Sequence, residues 1–179
     1  MLHTVARVRQ ATAADVGQIA GIFAGYVTGS VVTFEVDPPT AGQWHERMAR
    51  IAELGLPFLV AEAPGMADGT VAGYAYATPW RPKPAYQHTV EDSVYLAPEW
   101  RGKGLGRVLL DALLTSCATA GARQVIAVIA DTGDPASVAL HRACGFTQAG
   151  RLAQVGFKHG RWIDTVLMQR AIGEGCPAG

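Results

Sequence analysis

The alternation of apolar and polar positions changes period along this chain, and each change marks an element. Residues 5–9 alternate as a short strand does. Val16, Ile19, Ala20, Phe23 and Val27 then recur at helical spacing, and Thr12-x-x-Asp15 ahead of them reads as a helix cap. The pattern dissolves in Thr28-Gly29-Ser30, so Val31-Val32-Thr33-Phe34 is expected as an apolar loop or short extended piece ended by Pro38-Pro39. Thr40-x-x-Gln43 is a second capping box, with Trp44, Met48 and Ile51 on one helix face and Gly55 as the stop. Three strand-like runs follow at 57–63, 70–78 and 89–96, the first two joined as an antiparallel hairpin.

The prolines at 79, 82 and 84 forbid regular structure between the second and third runs, so an ordered loop is expected there. A helix over 102–120 buries Leu105, Val108, Leu109, Ala112 and Leu113. Residues 125–130 are apolar without alternation, which suits a central strand covered on both faces. Asp134-Pro135 opens a short helix that Gly145 closes. Two last strands fold about Lys158-His159-Gly160-Arg161, the second ending in Val166-Leu167-Met168. A strand–helix–strand unit inside an otherwise antiparallel set predicts an α/β fold: a mixed, mostly antiparallel twisted sheet with helices on both faces. It forms one domain over residues 1–170, and residues 171–179 have almost nothing to pack and are expected as a flexible tail.

Composition narrows the function. A chain of 179 residues buries a core by itself, and its net charge of zero lacks the footprint of a nucleic-acid binder. The N-terminus has no signal-peptide pattern and no apolar run spans a bilayer, so a cytoplasmic protein without a membrane partner is expected. Cys117, Cys144 and Cys176 are widely spaced and read as reduced thiols. His3, His45, His88, His141 and His159 lack zinc-site spacing, so no metal is expected.

The chemistry concentrates around Glu91-Asp92-Ser93-Val94-Tyr95-Leu96 and the loop Arg101-Gly102-Lys103-Gly104-Leu105-Gly106-Arg107. Glycine-rich backbone at a helix N-terminus offers unpaired N–H donors and a positive dipole end, which together can hold a diphosphate. The loop is not a Walker loop, and Arg107 stands where the dinucleotide fingerprint needs Gly or Ala. Strand alternation puts Glu91, Ser93 and Tyr95 on one face and Val90, Asp92, Val94 and Leu96 on the other. A glutamate in a strand otherwise fit for burial is costly unless something uses it. An amine nucleophile wants such a carboxylate as a base, a developing oxyanion an N–H donor, and a leaving group a proton. Glu91, the main chain of Val94 to Leu96, and His141 are the candidates for those three tasks; His141 could instead help deprotonate the amine.

The loop matches Arg-x-x-Gly-x-Gly, and through it the chain resembles the GCN5-related N-acetyltransferases, which bind acetyl-CoA. Within that family it is similar to the phosphinothricin and methionine sulfoximine/sulfone N-acetyltransferases. The likeness runs from Val8-Arg9-Gln10-Ala11-Thr12-Ala13-Ala14-Asp15 to the last strand. Thr89-Val90-Glu91 with Ser93-Val94-Tyr95, and Lys158-x-Gly160-x-Trp162-x-Asp164, are its narrowest parts. The resemblance implies Glu91 as base and acetyl-CoA contacts from Val94, Tyr95, Leu96, the Arg101–Arg107 loop and Asp134. It implies substrate contacts from Phe34, Arg81, Pro82, Lys83, Tyr86, Glu91, Asp92 and Ser93, and a homodimer. Arg81 and Lys83 suit an amino-acid analogue carrying a second acidic group. Asp134 departs from the asparagine common in relatives; a carboxylate caps a helix but cannot donate. Cys144 replaces a usual leucine, and His141 a frequent tyrosine. Two rivals stay open: acetylation of another amine, such as a protein N-terminus or an aminoglycoside, and a CoA-binding sensor without turnover.

Overall fold

The computed structural model describes residues 6–173. Side-chain caps start its first two helices where the sequence places them. The Thr12 amide and hydroxyl both donate to Asp15 Oδ2, at 2.7 and 3.0 Å, before the helix Val16–Gly29 (α1). Thr40 Oγ1 accepts the Gln43 amide at 3.2 Å while Gln43 Oε1 accepts the Thr40 amide at 2.8 Å, opening the helix Ala41–Glu53 (α2). Two further helices, Leu105–Thr119 (α3) and Ala136–Ala143 (α4), lie in the second half.

The strands Val8–Gln10 (β1), Phe58–Glu62 (β2), Val71–Pro79 (β3), Thr89–Leu96 (β4), Gln124–Ala130 (β5), Thr147–Lys158 (β6) and Arg161–Ala171 (β7) make one sheet. Its spatial order is β1-β2-β3-β4-β5-β7-β6, antiparallel throughout except for β4 beside β5. One face carries α3 and α4 over a core that includes Leu109, Leu110, Leu113, Val125, Phe146 and Met168. The other carries α1 and α2 over Trp44, Phe23, Phe58, Tyr74 and Tyr76, whose rings meet edge to face or stacked.

Several expectations shift. The first strand is Val8–Gln10, and Val5 lies outside the described residues. The third helix begins at Leu105 because Gly104, with φ of +80°, is left-handed and cannot belong to it. Its buried stripe runs Leu105, Leu109, Leu110, Leu113, Leu114 and Cys117, and Val108 falls on the flank at 39 % exposure. The proline loop holds one short 3-10 turn, Pro84–Tyr86. β5 is covered on one face only: Val125, Ala127 and Ile129 are buried, whereas Val128 is 40 % exposed. β7 runs on to Ala171, and Ile172 packs into the core instead of fraying; residues 174–179 of the expected tail lie outside the described residues.

Arg9 ties the sheet edge to the start of α1. Its guanidinium donates twice to Asp15 at 2.8 Å and once to Glu62 at 2.7 Å. The Arg9 bonds, foremost among the causes, hold the buried Asp15 carboxyl below its ordinary value of 3.8. A depressed folded pKa contributes stability above that ordinary value, and the contribution disappears as pH falls through the folded one. Asp15→Asn is expected to lose about 3 kcal/mol at pH 7, and the gap to the native protein should narrow below about pH 4. Urea unfolding at both pH values measures it; an equal gap at both would reject the account.

Candidate active site

β4 and β5 are paired only through Thr89↔Gln124, Val90↔Val125 and Glu91↔Ile126. Beyond Glu91, β4 follows β3 as far as Leu96, and β5 follows β7 as far as Ala130. The parallel pair therefore opens into a fork, with Glu91 at its base. The phase of the β3–β4 ladder decides which main-chain groups face the gap. Ala97 N–H bonds to the Ala72 carbonyl, and Trp80 N–H to that of Thr89, so odd-numbered β4 residues exchange bonds with β3. Val94 and Leu96 consequently turn their main chain toward the fork. The Leu96 amide is already taken there by the Tyr26 hydroxyl at 3.3 Å, which itself donates to the Leu96 carbonyl at 2.9 Å. Among the described residues no partner is found for the Val94 amide. Of the three strand-end candidates, Val94 keeps a free donor; Tyr95 faces β3 and Leu96 is occupied.

The glycine loop follows. Gly102 and Gly104 have φ of +71° and +80°, and each would carry its Cβ into open space. Among the described residues, the amides of Gly102, Lys103, Gly104, Leu105 and Gly106 have no backbone acceptor, and Gly104 offers no side-chain cap. These donors sit at the N-terminus of α3, as a diphosphate requires, so the loop fits the phosphates of a CoA thioester. Leu105 is buried and Gly106 faces Leu140 of α4, so these two can offer only their amides. Arg101 lies over the Tyr26 ring, Lys103 over that of Trp100, and Arg107 pairs with Asp111 at 3.6 Å. The N-cap of α4 is Pro135 and not Asp134 as expected; Asp134, one residue earlier, accepts from the Ala136 amide at 2.9 Å.

Glu91 is half-buried on the face opposite Asp92. Burial first, then the Asp92 charge, push its carboxyl above the usual range, against a smaller pull from Arg81. Arg81 is thus close enough to be felt at Glu91, and its guanidinium stacks on Trp80. Pro82, Lys83 and Tyr86 are exposed on the same loop. Ser93 shares the Glu91 face, but Asp92 does not. Asp92 is 7 % exposed and lies beneath the α3–α4 layer, which removes it from the substrate contacts. His141, 4 % exposed, is also withdrawn from the cleft. Its Nδ1 meets the Ser137 carbonyl at 2.7 Å and its Nε2 meets Asp92 Oδ2 at 3.0 Å, leaving no ring nitrogen for a departing thiolate.

Two features escaped the sequence reading. Ile126 and Val128 lie beside Glu91 on the face that α1 and α2 leave open, giving the fork an apolar floor. The uninterrupted apolar run concealed this, because periodicity cannot say which face lacks a cover. The Phe34 loop is also fastened. Lys158 Nζ, buried, donates to the Thr33 carbonyl at 2.9 Å, and the Phe34 ring rests on Gly156, where a Cβ would run into it. The Gly156-x-Lys158 spacing in an exposed strand was the available signal.

Among the described residues no group of His, Cys, Asp and Glu could hold a metal ion, and no helix is long and apolar enough to cross a membrane. A family model described as acetyltransferase (GNAT) family matches residues 31–146. A phosphinothricin N-acetyltransferase of Alcaligenes faecalis is 50 % identical over 161 residues, covering 90 % of this chain and 80 % of its own. An L-methionine sulfoximine/L-methionine sulfone acetyltransferase of Pseudomonas aeruginosa is 39 % identical, with 92 % and 93 % covered. The crystal structure of a GNAT superfamily phosphinothricin acetyltransferase from Sinorhizobium meliloti in complex with AcCoA superposes with a TM-score of 0.90. It is 45 % identical, and the match covers 97 % of this chain and 92 % of that one.

Proposed function

The chain belongs to the acetyltransferase (GNAT) family and is an acetyl-CoA-dependent N-acetyltransferase, and from that premise we propose that it acetylates the α-amine of phosphinothricin or of methionine sulfoximine or sulfone, with Glu91 as general base. The observation that carries the mechanism is the fork: it parts immediately beyond Glu91, so the carboxylate, the Val94 amide and the loop amides border one opening. Bound acetyl-CoA supplies an activated acetyl carbon. The glycine-loop amides and the α3 N-terminus hold its diphosphate, with Arg101, Lys103 and Arg107 around them. The Val94 N–H is the donor for negative charge building on the carbonyl oxygen. Glu91 draws the proton from the incoming ammonium, directly or through one water; the free amine then forms the C–N bond, the tetrahedral intermediate collapses with loss of the C–S bond, and the CoA thiolate leaves with the second nitrogen proton. Burial and the neighbouring Asp92 raise its basicity for that task.

The acceptor class rests on the two relatives and on local charge. Arg81 beside Glu91 meets an acidic group of the amino-acid analogue, Lys83 adds a second cation, and Phe34, Tyr86, Ile126 and Val128 supply apolar walls. Such a site disfavours a polycationic aminoglycoside. A thiol-release assay with acetyl-CoA across phosphinothricin, methionine sulfoximine, methionine sulfone, an N-terminal peptide and an aminoglycoside tests it. The first three are expected to show the higher kcat/KM. A preference for the peptide or the aminoglycoside, or no thiol release with the first three, would reject the acceptor.

The enzyme is a homodimer in this proposal. Val155, Phe157 and Trp162 on β6 and β7 are exposed, with Trp162 at 62 %, and the Phe157 and Trp162 rings lie 5.0 Å apart. An apolar row of this kind on a long edge hairpin suits a second copy. Trp162→Glu is expected to sediment as a monomer where the native chain sediments as a dimer; a native monomer would refute the dimer.

A further inference from the structure

The Asp92–His141 pair joins parts of the molecule that the fork separates. Asp92 belongs to β4, one residue past its last pairing with β5. His141 belongs to α4, which the chain reaches from the far end of β5 through Asp131 to Pro135. Their 3.0 Å contact crosses from one arm of the fork to the helix that follows the other.

Both groups are buried, and their chemistry fixes their charge. His141 Nδ1 faces the Ser137 carbonyl and Nε2 faces a carboxylate oxygen; both partners accept only, so a doubly protonated ring is the form that satisfies them. Asp92 Oδ1 has no hydrogen-bond partner among the described residues. An ionised carboxylate buried this deeply needs a paired cation, and the one beside it is His141. Arg107 and Arg170 stand near Cys144, and Arg170 donates to its carbonyl; the charge felt at His141 is that of Asp92. Cys117 of α3 feels the Asp92 charge, and burial raises its thiol pKa to about 12. Cys144, past the end of α4, is likewise pushed up to about 11 by burial first. Phe146 meets the His141 ring edge to face at 5.0 Å. Glu91, next along β4, adds a carboxyl on the opposite face. Burial opposes the His141 charge, but Asp92 and Ser137 outweigh it and hold the pKa above its ordinary value.

We propose that His141 is a positioning residue and not a proton donor: as a permanent imidazolium it bolts α4 to Asp92, sets the width of the fork and so places Glu91 and the Val94 amide. This rests on Glu91 as the base. Asp92→Asn and His141→Gln are each expected to lower kcat by about 10²-fold, with the KM for acetyl-CoA nearly unchanged. The double variant D92N/H141Q restores an uncharged amide–amide bridge and is expected to regain about tenfold over either single change.

Histidine-selective ¹⁵N spectra of the full chain, recorded from pH 6 to 8.5, supply a readout apart from activity. One imidazole, identified by its loss in H141Q, is expected to keep both nitrogens protonated across the range and to titrate ordinarily in D92N. A neutral His141 at pH 7, or a double variant no faster than H141Q, would overturn the proposal, the latter pointing to a proton donor. Glu91→Gln measured alongside separates the two claims. If it keeps full activity the base assignment falls, while the His141 spectrum still reports on the bridge.

Discussion

Glu91→Gln is expected to lower kcat at neutral pH by about 10³-fold while acetyl-CoA binds as before. The glutamine keeps the size and half-buried place of the side chain but cannot take a proton, so the loss measures general-base catalysis and not packing. The native enzyme should show the matching pH dependence. The Glu91 carboxyl lies above the ordinary carboxylate range, through burial first and the Asp92 charge second. Its active form is the deprotonated one, so kcat/KM should rise with pH through that raised value and level off above it. In Glu91→Gln this acid limb should be absent. Stopped-flow thiol release for kcat and isothermal titration for acetyl-CoA check both parts. Unchanged turnover in the variant would remove Glu91 from the mechanism.

Gly104→Val is expected to weaken acetyl-CoA binding by about 10²-fold. At Gly104 φ is +80°, a conformation that a β-branched residue adopts only as an outlier, and a left-handed residue with a side chain costs about 1–2 kcal/mol. The loop escapes that strain by rotating, and rotation turns the amides of Lys103 to Gly106 away from the diphosphate. Hydrogen bonds to a charged group contribute about 1.5–3 kcal/mol each, so losing one or two accounts for the effect. The Cβ also enters open space that the ligand would fill. Titration calorimetry measures the affinity, and a melting curve shows whether the fold survives. Native affinity in Gly104→Val would mean that this loop does not hold the phosphates.

The two variants probe features that were both legible in the sequence. The glycine loop was readable because its requirement is local: left-handed backbone at a helix start needs glycine, and the chain writes Gly102 and Gly104 there. The face of Glu91 was readable too, since side chains alternate along a strand whatever lies beside it. Asp92 and His141 were misread for one reason. Neither position tells from sequence where its side chain goes, and both side chains point into the layer beneath α3 and α4.

The sequence by itself determined the order of elements, both helix caps at Thr12 and Thr40, the left-handed glycine turn ahead of α3 and the side of β4 that carries Glu91. These follow from turn chemistry and periodicity acting over a few residues. Only the tertiary structure decided where β4 and β5 part, which face of β5 stays open at Val128, and which strand-end amide remains free. It also joined Asp92 to His141 across 49 positions and Lys158 to Thr33 across 125. Contacts of that span arise from how the sheet and its two helix layers close on each other, and no local pattern encodes that closure.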